Sequence, residues 1–316
     1  MGMMSGTMLT CGACLFGLWL WQRLWQRALQ QYKERTGMKR TAPNWFVYAR
    51  LCPVFFPRVV GWIWGTIGAV VPCEIMIWLH GYFNGEWSRK AVWNFRAHAH
   101  AGALGKVALT IDDAPARPGG TPMVKEVLEI LDEYNATCSF FVVSTFMDGR
   151  GDMMRQIVER GHELCNHGGK DIAYHRHSKD DFREVFLECE TNINTYLSAV
   201  NAATPPPKDA VNRRNNKWFR PPHAKVSDAM VEVLEQQGVR VAMSDCYGMD
   251  VMCRPPFIAN YTASHARAGS IVLLHMPEVG FREYNLESLR MALDGLQARG
   301  LQCVSLSQME ASCKTY

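Results

Sequence analysis

Two carboxylates stand side by side where an apolar run ends, in Thr110-Ile111-Asp112-Asp113-Ala114-Pro115. Removing both from water is costly unless positive charge lies between them. A divalent cation would supply that charge, with one carboxylate as ligand and the other as base. The alternative is a solvated turn, in which Asp-Asp before Pro is ordinary. A second set is Gly161-His162-Glu163-Leu164-Cys165-Asn166-His167, with Asp171 four positions further on. A His and a carboxylate so spaced can face one direction. Imidazole nitrogen with carboxylate oxygen suits zinc or another first-row divalent ion. Adding Asp113 gives two carboxylates and one imidazole, which leaves positions open for water and substrate. His162 reads as a hydrogen-bonded structural residue, and His175 and His177 fall in a polar stretch that reads as surface.

Two further sets complete the chemistry. In Phe219-Arg220-Pro221-Pro222-His223, the Arg can pair with a carboxylate and keep it ionised and oriented, unless it is a surface Arg before a turn. In Leu273-Leu274-His275, a His closing an apolar strand can serve as general acid. Asp250 can orient that His and raise its pKa.

These residues need a frame, and the pattern supplies one. Val107–Ile111, Cys138–Val143, His162–Cys165, Trp218–Arg220, Val239–Ser244, Ile271–His275 and Gln302–Leu306 read as short strands. Between them, Thr121–Tyr134, Met153–Arg160, Asp180–Ala199, Ser227–Gln237 and Leu286–Arg299 read as helices. The first of these repeats apolar residues at Val124, Val127, Leu128 and Leu131, and Ser227 is an expected helix cap. Such alternation predicts a mostly parallel sheet, open or closed into a barrel. The candidate residues then fall at strand ends, where both arrangements build their sites.

The first ninety residues have another texture. Residues 3–21 carry no charge, and a second apolar stretch over 59–83 is interrupted by Pro72, Glu74 and His80. Between Gln22 and Arg58 lie eight Lys/Arg and one acidic residue, Glu34, so the net charge of +4 is unevenly spread. A basic stripe beside apolar segments points to phospholipid rather than nucleic acid. The expectation is a membrane-associated region over 1–90 that places the following domain, about 100–316, on the luminal or extracellular side. Eleven cysteines lack a zinc-ribbon spacing, and Cys11-x-x-Cys14 lies inside the apolar segment. Asn135-Ala136-Thr137 and Asn260-Tyr261-Thr262 are glycosylation sequons compatible with that side.

In order, Thr-Ile-Asp-Asp, His-x-x-x-Asp, Arg-Pro-Pro-His, Asp and Leu-Leu-His resemble the five successive motifs of the NodB-like polysaccharide deacetylases, carbohydrate esterase family 4. The resemblance covers roughly Lys106 to Leu306. Through Asp171 it is similar to a eukaryotic chitin-deacetylase-like subgroup with Asp in place of the second metal histidine. It implies an α/β fold, a distorted (β/α) barrel, after the N-terminal membrane-associated helical region. It also implies Asp112 as general base, Arg220 as its partner, and Asp113, His167 and Asp171 as ligands of a divalent metal. Zinc is the first expectation, with cobalt, manganese or nickel as substitutes. The backbone N–H at His223, next to Pro222, would bind the oxyanion. His275 would be the acid and Asp250 its partner, with Asp245 a rival.

The implied reaction is removal of N-acetyl groups from a glycan containing N-acetylglucosamine, such as chitin, or from a glycoconjugate, with release of acetate. Expected partners are that glycan and membrane lipid, with no nucleic acid and no obligate protein. The chain departs from the family pattern at Asp171, at Ile111 and Ala114 in the first motif, and at His223 where an aromatic Tyr is usual. A glycan-binding pseudoenzyme of the same fold and a hydrolase of another linear or cyclic amide are the competing readings.

Overall fold

The computed structural model describes residues 87–96, 105–203, 218–251 and 253–314, all within the compact unit Gly61–Tyr316. Its centre is strand β1, Lys106–Ala114, buried at every position after Lys106. An unbroken run such as Val-Ala-Leu-Thr-Ile has no solvent face to offer, and burial on both sides is what a central parallel strand provides. One edge of β1 pairs with β7, Ile271–His275. The other edge is shared by β8, Gln302–Val304, over its first half and β2, Ser139–Val142, over its second. Beyond β2 follow β3 (Glu163–Asn166), β4 (Trp218–Phe219) and β5 (Arg240–Val241); beyond β7 lies β6 (Cys246–Tyr247). Every pairing between these strands is parallel.

A short helical turn, α1 (Trp87–Lys90), precedes the sheet. Helices α2 (Val124–Glu133), α3 (Gly151–Glu159), α4 (Lys179–Ala203), α5 (Asp228–Gln236), α6 (Pro255–His265), α7 (Asn285–Gln297) and α8 (Leu306–Lys314) alternate with the strands. The architecture is an α/β half-barrel of parallel strands. In α2, Val124, Val127, Leu128 and Leu131 are buried, as their spacing predicts. Ser227 caps α5 by accepting from Met230 N–H. Helix α6 opens on Pro255-Pro256, which suit a first turn because its N–H groups have no intrahelical acceptor.

Residues ahead of β1 link β5, at one end of the strand order, to the segment just before β7. Val92 N–H donates to Val241 O at 2.8 Å, Met243 N–H to Val92 O at 2.8 Å, and Phe95 N–H to Gly269 O at 2.7 Å. Phe95 is buried against the edge of the Trp218 ring, 6.0 Å between centroids. A strap from 92 to 95 thus runs from the end of β5 to the start of β7, and it packs with the sheet although it precedes residue 100.

The membrane-anchored placement expected above, with a luminal or extracellular catalytic domain, is corrected. Among the described residues no helix is long and apolar enough to cross a membrane. The segments 3–21 and 59–83, the basic loop, Cys11 and Cys14 lie outside the described residues.

Candidate active site

The C-terminal end of β1 carries Asp112 and Asp113, both buried. Asp112 pairs in register with His275 of β7, and its carbonyl accepts from Met276 N–H at 2.8 Å. Its Oδ1 accepts from Arg220 Nη1 at 2.7 Å. Arg220, 3% exposed, is held on every side: Nε donates to Ala242 O at 3.0 Å, Nη2 to Met243 O at 3.0 Å and Nη1 also to Thr110 Oγ1 at 2.8 Å. Its guanidinium carbon lies 4.1 Å from the Phe141 ring centroid. A planar fork fixed at this many points sets both the position and the charge beside Asp112.

On the β7 side, His275 Nδ1 donates to Asp250 Oδ1 at 2.7 Å, and His275 N–H donates to Asp250 Oδ2 at 2.5 Å. Asn285 Nδ2 adds bonds of 3.0 Å to Asp250 Oδ2 and to His275 O. Burial alone would depress the imidazolium, but Asp250, with Asp113 and Asp112 beyond it, outweighs that and holds the pKa up at about 9. Asp245 turns elsewhere: it accepts from Ile271 N–H at 2.8 Å and faces Arg96 at 2.8 Å.

His167 is buried, and its Nδ1 lies 2.6 Å from Arg220 O. A carbonyl can only accept, so Nδ1 carries the proton and the Nε2 lone pair is available. Nε2 lies 3.7 Å from Asp113 Oδ1 and 3.8 Å from Asp112 Oδ2. Asp113 adopts a left-handed backbone (φ 64°) just before the cis Ala114–Pro115 bond. Burial would raise its pKa, but His275, His167 and Arg282 together bring it below the ordinary value. Arg282 Nη1 donates to Asp113 Oδ2 at 2.7 Å.

Asp171 does not join this pair. Its carboxylate lies 3.5 Å from His223 Nε2, with both side chains well exposed. Gly168, at φ 87°, turns the chain directly after His167, and a Cβ there would come within 2.8 Å of the Tyr174 ring. The four-residue spacing therefore does not carry Asp171 back to His167. Among the described residues no three His, Cys, Asp or Glu side chains gather to hold a metal. Two donors that converge beneath a guanidinium do not fit the three-ligand open site of a catalytic metal. His223 has a left-handed backbone (φ 58°) in a turn after buried Pro222. His162 is buried with no hydrogen-bond partner on either ring nitrogen. His177 packs on the Tyr174 ring, 5.0 Å between centroids.

Sequence reasoning missed Arg282, Asn285 and Tyr247, whose ring lies 5.7 Å from that of His275. Arg282 follows His275 by seven positions, and nothing in its own neighbourhood marks it.

On this parallel α/β half-barrel, Asp112 with Arg220 and His275 with Asp250 meet at adjacent strand ends. Residues 102–242 match the polysaccharide deacetylase family. A peptidoglycan-N-acetylglucosamine deacetylase of Bacillus cereus is 20% identical over 248 residues, 78% of this chain and 84% of the relative. A chitooligosaccharide deacetylase of Sinorhizobium fredii is 26% identical over 213 residues, 64% of this chain and 90% of the relative. Among solved structures, a family 4 acetyl xylan esterase from Clostridium thermocellum, in complex with a cobalt ion, superposes with a TM-score of 0.52 at 26% identity. The match covers 65% of this chain and 90% of that one. A family 4 pseudoenzyme from Bacillus anthracis shares the fold at a TM-score of 0.52 and 20% identity, over 65% of each chain.

Proposed function

We propose that this protein hydrolyses N-acetyl groups from an N-acetylglucosamine glycan of the chitooligosaccharide, chitin or peptidoglycan type, releasing acetate. The reading rests chiefly on one observation: Asp112, held by Arg220, and His275, held by Asp250, are register partners on adjacent strands. Asp112 takes the proton from a water as that water attacks the acetamide carbonyl. His275, protonated at neutral pH by its raised pKa, gives a proton to the departing nitrogen as the C–N bond breaks. The products are acetate and the free amino sugar. By resemblance, the backbone N–H of His223 donates to the developing oxyanion. Zinc, cobalt, manganese or nickel, expected on the same resemblance, enters none of these steps.

Acetate release from chitin oligomers and from peptidoglycan fragments, with the intact chain and with Asp112→Asn, tests the reading. Release that disappears in the variant is expected; no release from either substrate class overturns it. A second reading, glycan binding without turnover, is favoured only by the incomplete donor set. Glycan retention without acetate would identify it.

A further inference from the structure

We infer that Arg282 is the fixed cation of this centre, taking at Asp113 the place of a divalent metal, so that the site binds zinc weakly and works without it. The clause about working rests on the deacetylase reading; the clause about zinc does not.

The geometry at Asp113 is the first support. Its Oδ2 accepts from Arg282, so one of its two oxygens is already engaged, while its Oδ1 lies 3.7 Å from His167 Nε2. A guanidinium at 2.7 Å is a full positive charge on a carboxylate that is nearly out of solvent. A metal there would place two cations against one carboxylate at low dielectric, which is strongly unfavourable.

The second support is the pairing of the whole centre. Asp112 has Arg220, Asp113 has Arg282 and Asp250 has His275. Each carboxylate has its own partner, so the set calls for no further positive charge.

The third is that the loop is built to hold Arg282 where it is. Glu278 and Phe281 exchange two backbone bonds of 2.9 Å each, and Val279 N–H donates to Thr121 O at 3.1 Å. The buried Glu278 carboxylate accepts from Arg117 N–H at 3.0 Å and Arg117 Nε at 3.1 Å. After the loop, Tyr284 O–H donates to Asp250 O at 2.9 Å, and Asn285 binds Asp250 and His275. Arg282 itself has a left-handed backbone (φ 53°), uncommon for a long side chain, and its guanidinium carbon lies 4.7 Å from the Phe281 ring centroid. During the reaction its charge would offset that of the tetrahedral oxyanion, a task other esterases of this kind of chemistry give to an ion or a donor pair.

The experiment compares the wild-type chain, Arg282→Gln and Arg282→Lys after dialysis against a chelator. Zinc binding is followed by calorimetry and by metal analysis of the dialysed protein, with circular dichroism as the check on folding. Arg282→Gln is expected to bind zinc at least about tenfold more tightly than wild type, because the competing charge is gone, and Arg282→Lys to stay close to wild type. Equal affinities in all three, or tighter binding by wild type, overturn the inference. Chelator-dialysed wild type is expected to release acetate undiminished. If dialysis abolishes release and zinc restores it, the inference fails, and this arm decides the matter should Arg282→Gln not fold. If Arg282→Gln gains zinc affinity while no form releases acetate, the charge assignment stands and the deacetylase reading falls.

Discussion

Asp112 and His275 are register partners on two adjacent parallel strands, so their side chains project to the same face one inter-strand spacing apart, about 4.8 Å between backbones. Each is then fixed from behind by a different residue, Arg220 from the β4 end and Asp250 from beyond β6. The two proposed catalytic side chains are thereby positioned by the sheet's own pairing rather than by a loop.

Replacing Asp112 by Asn keeps an oxygen for Arg220 but removes the base. Acetate release should fall by about 10²–10⁴-fold in kcat, with KM changed little. A KM rise at constant kcat would instead assign Asp112 to substrate binding.

The pH profile should report on the Asp250–His275 pair. His275 acts protonated, and its pKa is raised to about 9, so kcat/KM should decline as pH rises through about 9. In Asp250→Asn the main force raising that pKa is gone, and the decline should begin at lower pH. A basic limb at the same pH in both proteins would remove His275 from the role of acid.

His162 should make the fold sensitive to acid. Burial lowers its pKa from 6.5 to about 4, against weaker opposing influence from Asp132. A depressed base contributes fully above its unfolded pKa, near 6.5, and loses its contribution as pH falls from there towards 4. That amounts to about 3 kcal/mol over the window. Urea midpoints at pH 7 and pH 4 should diverge more for wild type than for His162→Leu; equal divergence would show that His162 stays neutral in both states.

Trp218 is fully buried between Phe95 and Arg240, whose guanidinium carbon lies 4.1 Å from the indole centroid. Trp218→Ala should cost about 3–5 kcal/mol in a denaturant titration. Because Trp218 lies two positions before Arg220 on the same segment, activity should fall more than stability alone accounts for. Full activity in the folded variant would show Arg220 to be held independently.

The strands were legible where burial is continuous: Ile271–His275 reads as a strand from its apolar run and is one, ending on the His proposed as the acid. Helix α6 was not legible, because its Pro255-Pro256 start looks like a turn and its apolar residues keep no single face. Strand β6 has only two residues, too few for any period. The pairing of Asp112 with Arg220 and of His275 with Asp250 could be anticipated because each residue closes a strand or sits in a short recognisable string. Asp171 misled, since spacing implies a common face only while the backbone stays regular, and Gly168 breaks it. Arg282 reaches Asp113 across 169 positions, a pairing that no local pattern encodes.

The strap at 92–95 bears on where this chain can be cut. A fragment that begins at residue 100, the start suggested by the motifs, would leave Met243 N–H and Gly269 O without their acceptor and donor and strip Phe95 from Trp218. An expression fragment should therefore start ahead of Trp87, so that it carries its own strap and does not leave the β5 edge open to a neighbouring copy.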